Sequence, residues 1–194
     1  MLTMTLPTFI TSLRLLAVPV IMYWMLGDQG ERSWRTETLF ILASGTDWLD
    51  GYLARRLNQV SELGKFLDPL VDKLLVFGPL LIFVELGEIP AWAVFIILSR
   101  DLIVSGWRVS QTSVVGANRW GKIKTLTQIV AIGCLLSPTR FIDAWPAESF
   151  LKFSYQLGWV LFWVSLVLTV VSGVIYLWPS ISGEEAGESV EDDD

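Results

Sequence analysis

Residues 47–73 read DWLDGYLARRLNQVSELGKFLDPLVDK, and the spacing of their charges decides the fold. Asp47 and Asp50 are three residues apart, and Asp68 and Asp72 are four apart. On helices, each pair shares one face. Residues 57–64, which include Asn58 and Gly64, are turn-forming and join the two helices in a short antiparallel hairpin. Four carboxylates therefore converge near one edge of a helical pair.

Working outward, apolar segments occupy about 8–27, 35–56, 66–86, 89–112, 122–138 and 153–178. From Phe153 to Trp178 there is not one charge over 26 residues, enough to cross a bilayer. The breaks between segments carry Gly27-Asp28, Asn58, Gly64, Gly87 with Pro90, Gly116 and Pro138. The expected fold is an all-α membrane protein of six transmembrane helices, forming one catalytic domain over residues 1–182. Trp24, Trp34, Trp92, Trp120, Trp145 and Trp178 lie near segment ends, where interfacial aromatics belong. The first segment has no basic n-region, carries Arg14 and shows no small-residue cleavage pattern, so it is expected to stay as a membrane helix. With both termini inside, the inner connections hold Arg55, Arg56, Lys65, Arg119, Lys122 and Lys124. The outer ones hold Arg32, Arg35, Arg140 and Lys152, so the bias favours cytoplasmic termini.

The chain has 194 residues, 53% of them hydrophobic and 18% charged, fewer charges than the quarter usual for a soluble domain. Its net charge of −6 is concentrated at one end, because Glu184, Glu185, Glu188 and Glu191 to Asp194 supply seven negatives. Residues 183–194 read as a solvated acidic tail without chemistry. The rest is close to neutral, and no nucleic-acid partner is expected. Cys134 is the only cysteine and there is no histidine. Disulfides within the chain, Ser-His and Cys-His nucleophiles, and histidine-ligated metals are thereby excluded.

Acid–base and metal work must then fall to carboxylates. Four partly desolvated like charges repel unless a cation offsets them. Hard divalent ions such as Mg²⁺ or Mn²⁺ suit an all-oxygen site, and two of them can share four carboxylates and clamp a diphosphate. Gly51, costly inside a helix by about 1 kcal/mol, lets a bulky ligand approach the backbone. Ala54 keeps the same surface low, and Arg55 offers a cation to a phosphate. The competing reading is a set of structural salt bridges to Arg55, Arg56, Lys65 and Lys73; intramembrane ionisable groups weigh against it. A cation transporter using the same aspartates is a rival from another class, and a non-catalytic membrane scaffold is a third.

The pattern D-x-x-D-G-x-x-A-R, eight residues, then G-x-x-x-D-x-x-x-D resembles the signature of the CDP-alcohol phosphotransferases. It is met without departure by Asp47, Asp50, Gly51, Ala54, Arg55, Gly64, Asp68 and Asp72. The resemblance implies that family's six-helix membrane fold, a homodimer, and a site open to the cytoplasm; the expected location, from the absence of a transit-like N-terminus, is a bacterial plasma membrane. It implies attack of an alcohol on the β-phosphate of a CDP-linked donor, with release of CMP. Asp47, Asp50, Asp68 and Asp72 become metal ligands, and Asp72 also the general base. Gly51, Ala54, Arg55 and Ser61 match donor-contacting positions.

Three further stretches resemble family members that use CDP-diacylglycerol and sn-glycerol 3-phosphate: LPTFITSLRLLAVPV (6–20), RDLIVSGWR (100–108) and GKIKTLTQ (121–128). Thr11 and Arg14 match positions assigned to the donor, whereas Thr8 stands where those members usually carry Asn. Arg100, Arg108, Lys122 and Lys124 are cations suited to the acceptor phosphate, or to positive-inside anchoring. Arg100 alternatively pairs with Asp101 or a site carboxylate. Family members with other acceptors, phosphatidylglycerol or an inositol phosphate, are the near alternatives.

Overall fold

The computed structural model describes residues 6–27, 33–57, 62–110, 119–138 and 148–182. Among the described residues there are six α-helices and no strand: α1 Leu6–Gly27, α2 Trp34–Leu57, α3 Glu62–Glu85, α4 Ala91–Ser110, α5 Arg119–Leu135 and α6 Glu148–Ser182. The acidic tail lies outside the described residues.

Local chemistry sets several of the helix ends. Ser33 precedes α2, where its carbonyl accepts from the amides of Thr36 (3.1 Å) and Glu37 (3.3 Å), while Glu37 puts a negative charge in the first turn. At the end of α3, Gly87 takes φ +72°, a left-handed conformation that costs a glycine little. The Glu88 amide then reaches back to the Phe83 carbonyl at 2.9 Å and the Gly87 amide to that of Val84 at 3.0 Å. This pair of bonds is a Schellman cap, and Pro90 bars the helix from resuming before α4.

Helix α1 packs against both α2 and α3, each of which touches it more extensively than they touch each other. Helix α5 packs chiefly on α6, and α4 on α6 and α3. Side-chain pairs reveal the directions. Thr11 and Arg14 meet Asp68 and Asp72, so α1 and α3 run parallel. Trp92 packs at a tilt against Trp163, with ring centroids 5.8 Å apart, and Arg100 lies against Gly173, so α4 and α6 also run parallel. The core threads the middle of the bundle through Ile21, Phe40, Leu80, Phe83, Ile97, Ile132 and Phe162. Two crossings depend on a missing side chain. A Cβ at Gly158 would stand 2.8 Å from the Leu135 amide nitrogen, and one at Gly78 2.8 Å from Val18 Cγ1. Small residues of this kind let helix backbones approach closely.

Two described helices are long and apolar enough to cross a membrane, over Ile10–Gly27 and Ser149–Ile175; Ile123–Leu135 is a shorter apolar stretch. Only 28% and 39% of those two spans are buried inside the protein, far less than a core helix would bury. Leu13, Leu16 and Tyr23 on α1 and Phe150, Phe153, Val160 and Val167 on α6 form outward apolar surface. Helices α2, α3 and α4 fall short of the same standard, because Asp47, Asp50, Arg55 and Arg56, then Lys65, Asp68, Asp72 and Lys73, then Arg100, Asp101 and Arg108 interrupt them.

Candidate active site

Those interrupting charges gather at one end of the bundle. Helix α2 ends there and α3 begins there, and the cross-links described below add the start of α1, the end of α4 and the start of α5. At the opposite end, Glu37, Ser137 and Ser154 form a separate polar contact, with the two serine hydroxyls 2.8 Å apart.

Asp68 and Asp72 occupy successive turns of α3 and both reach solvent; Asp68 is exposed and the Asp72 side chain is 44% accessible. Each is met by α1. The Thr11 hydroxyl donates to Asp68 Oδ1 at 2.8 Å, and Arg14 Nη1 donates to Asp72 Oδ1 at 2.9 Å. Thr11 and Arg14 are almost wholly buried, at 1% and 3% exposure. Two carboxylates that open outward are thus anchored from within by a hydroxyl and a guanidinium. Arg14, a residue expected at the donor, contacts Asp72, a partner absent from the salt-bridge reading with Arg55, Arg56, Lys65 and Lys73.

Asp47 and Asp50 stand three residues apart near the end of α2. Their side chains, with those of Gly51, Ala54 and Arg55, lie outside the described residues, as does Ser61. Among the described residues no three carboxylate, cysteine or histidine side chains converge. The donor chemistry nevertheless fits a hard divalent cation: Asp68 and Asp72 offer carboxylate oxygens one turn apart, held in place and facing solvent.

A second group of charges lies beside the first. Asp101 on α4 accepts from Lys124 on α5 through both oxygens, at 2.7 and 2.6 Å, and from Arg100 Nη1 at 3.1 Å. Lys124 is 2% exposed, so its ammonium is buried inside the bundle and committed to Asp101. Arg100 takes the first of its two expected partners, and Gly173 on α6 leaves room for its stem; a Cβ there would stand 3.1 Å from Arg100 Cγ. Lys73 reaches from α3 to the Ser105 hydroxyl on α4 at 2.7 Å. The side chains of Arg108 and Lys122 lie outside the described residues.

A family model described as CDP-alcohol phosphatidyltransferase matches residues 4–171. The chain belongs to the CDP-alcohol phosphatidyltransferase family. It is 42% identical over 186 residues to a CDP-diacylglycerol–glycerol-3-phosphate 3-phosphatidyltransferase of Bacillus subtilis, covering 88% of this chain and 92% of the relative. A relative of the same name in Haemophilus influenzae is 32% identical over 181 residues, covering 88% and 90%. In Arabidopsis thaliana a second isoform of that name is 35% identical over 191 residues, covering 89% and 78%. The family is generally metal-dependent, which agrees with the outward-facing carboxylates of α3.

The contacts that join Asp101, Ser105 and Lys73 to their partners are less plain in the sequence than the aspartate motif. Asp101 and Ser105 are four apart, hence on one face of α4, and a polar face at the charged end of an apolar helix was the available signal. Their partners, 23 and 32 residues distant, were not legible.

Proposed function

We propose that the chain transfers the phosphatidyl group of CDP-diacylglycerol to sn-glycerol 3-phosphate, giving phosphatidylglycerophosphate and CMP. The observation that carries this reading is the anchoring of Asp68 and Asp72 by Thr11 and Arg14, in a chain 42% identical to a relative named for that reaction.

The acceptor hydroxyl attacks the donor's β-phosphate, the P–O bond to CMP breaks, and the hydroxyl proton passes to Asp72. Arg14 holds the Asp72 carboxylate in one orientation, and Thr11 does the same for Asp68. Two divalent ions, Mg²⁺ or Mn²⁺, held by Asp47, Asp50, Asp68 and Asp72, would neutralise the diphosphate and the charge developing on it. Gly51, Ala54, Arg55 and Ser61 receive the donor, with Thr11 and Arg14 beneath. Arg100, Arg108, Lys122 and Lys124 supply the positive field for the acceptor phosphate, Arg100 and Lys124 through their shared Asp101. Positioning and charge stabilisation supply most of the rate. All six helices cross the membrane, with the site on the cytoplasmic side of a bacterial plasma membrane and the chain a homodimer. Their charged ends line the site, and the donor's acyl chains lie in lipid between helices.

The test is CMP release by purified protein given CDP-diacylglycerol, Mg²⁺ or Mn²⁺, and a panel of alcohols. Release is expected with glycerol 3-phosphate and is expected to stop when EDTA removes the metal. Silence with every acceptor would defeat the enzyme reading. Release with phosphatidylglycerol or an inositol phosphate alone would overturn only the acceptor.

A further inference from the structure

We propose that Lys73, steadied by Ser105, binds the acceptor's phosphate monoester directly and makes the enzyme prefer a phosphorylated alcohol. The proposal rests on the acceptor assigned above and adds a residue that neither the motif nor the expected cations include.

Position comes first. Lys73 follows Asp72, so the two are displaced by about 1.5 Å along the helix axis and point about 100° apart around it. Asp72 faces Arg14 on α1, while Lys73 faces Ser105 on α4. A three-carbon acceptor with its hydroxyl at Asp72 can place its phosphate only a short way off. Lys73, the next residue along α3, is a cation placed for that reach, turned toward α4 while Arg14 is turned toward Asp72 from α1. Lys73 is itself partly exposed, so a ligand can reach it from outside.

Charge comes second. Arg100 and Lys124 share Asp101, whereas among the described residues Lys73 makes no ion pair and is held by a neutral hydroxyl. Ser105 lies one turn beyond Asp101 on α4, so Lys73 reaches the face of α4 that carries this cluster. Three cations with one carboxylate leave this group at +2, the complement of a phosphate monoester carrying about −2 near neutral pH. The Arg100 Nε–H is also buried with no acceptor among the described residues. Buried donors are nearly always satisfied, so an orphan beside an excess of positive charge suits an anion. Lys73 and Arg100 are the partly exposed members of the group, and Lys124 the sealed one.

The experiment compares wild type, Lys73→Gln, Lys73→Arg and Ser105→Ala in CMP release, varying glycerol 3-phosphate and CDP-diacylglycerol separately. Lys73→Gln is expected to raise the acceptor KM about tenfold to a hundredfold, the range for a lost hydrogen bond to a charged group. The donor KM should stay within about twofold and kcat within about threefold. Inorganic phosphate, as a competitive inhibitor against the acceptor, should weaken by a similar factor. Lys73→Arg should recover most of the loss, and Ser105→Ala should raise the acceptor KM a few-fold. An unchanged acceptor KM in Lys73→Gln, or a fall in kcat alone, would overturn the proposal. If Lys73→Gln cannot be purified, an unchanged acceptor KM and phosphate inhibition in Ser105→Ala would do so. Wild type that ignores glycerol 3-phosphate but uses an inositol phosphate defeats the acceptor reading, and the same comparison then runs with that alcohol. Use of unphosphorylated alcohols alone defeats both.

Discussion

The Arg14–Asp72 pair joins two groups in very different surroundings, and the two ways of breaking it should therefore cost different amounts. The Arg14 side chain is 1% accessible and the Asp72 side chain 44%. In Asp72→Asn the guanidinium stays buried and loses its counter-charge, the situation in which disrupting a buried pair costs about 3–5 kcal/mol. In Arg14→Met the carboxylate left behind can hydrate, so the loss should be about 1–2 kcal/mol, nearer the value of a single charged hydrogen bond. For a chain of this size these figures correspond to falls in Tm of about 6–20 °C and about 2–8 °C. Both measurements should be made on metal-free protein in detergent, so that metal ligation does not mask the pair. The double variant should lose less than the sum of the two, because the interaction can be removed only once. Arg14→Lys should keep part of the stability and a reduced rate of CMP release, since an ammonium supplies the charge without the planar fork. Equal losses in the two single variants, or strict additivity in the double, would refute the reasoning from burial.

Two further outcomes follow from neighbouring contacts. Asp101→Asn leaves Arg100 and the buried Lys124 facing each other without their shared carboxylate and should lower stability by about 3–5 kcal/mol, whereas Asp101→Leu combined with Lys124→Met should regain most of it; thermal unfolding of both checks this. Gly158→Ala presses a methyl into the Leu135 amide at 2.8 Å and should cost about 1–3 kcal/mol in the same assay, while Gly45→Ala, with nothing within 4 Å, should be neutral or slightly stabilising.

The helices themselves were largely legible. Apolar runs locate all six, and the largest mismatches fall where a helix continues past its apolar stretch. α3 begins at Glu62 rather than near 66, and α6 spans Glu148–Ser182 rather than 153–178. Hydropathy marks what suits lipid, whereas a helix ends where its backbone hydrogen bonds stop. Gly87 with Pro90 was readable as a turn because the left-handed φ and the missing amide are properties of those residues alone. The spacing of Asp68 and Asp72 was readable for the same reason, since helical periodicity turns four residues into one face. What faces each carboxylate was not readable. Thr11 and Arg14 arrive from 57 and 58 residues away, and Lys124 meets Asp101 from the next helix. Such pairings depend on which helices are neighbours and in what register, and the alternation of apolar and charged residues leaves both open.

The parallel seam between α1 and α3 has a mechanical consequence. Thr11 and Arg14 sit three residues apart and meet carboxylates four residues apart, so one alignment of the two helices satisfies both contacts. Sliding α1 by one turn, about 5.4 Å, would carry the hydroxyl and the guanidinium away from both acids together. The depth at which the first helix rides in its bilayer is thereby coupled to the geometry of Asp68 and Asp72. A membrane that thins, thickens or pulls on α1 acts on these two carboxylates without touching them.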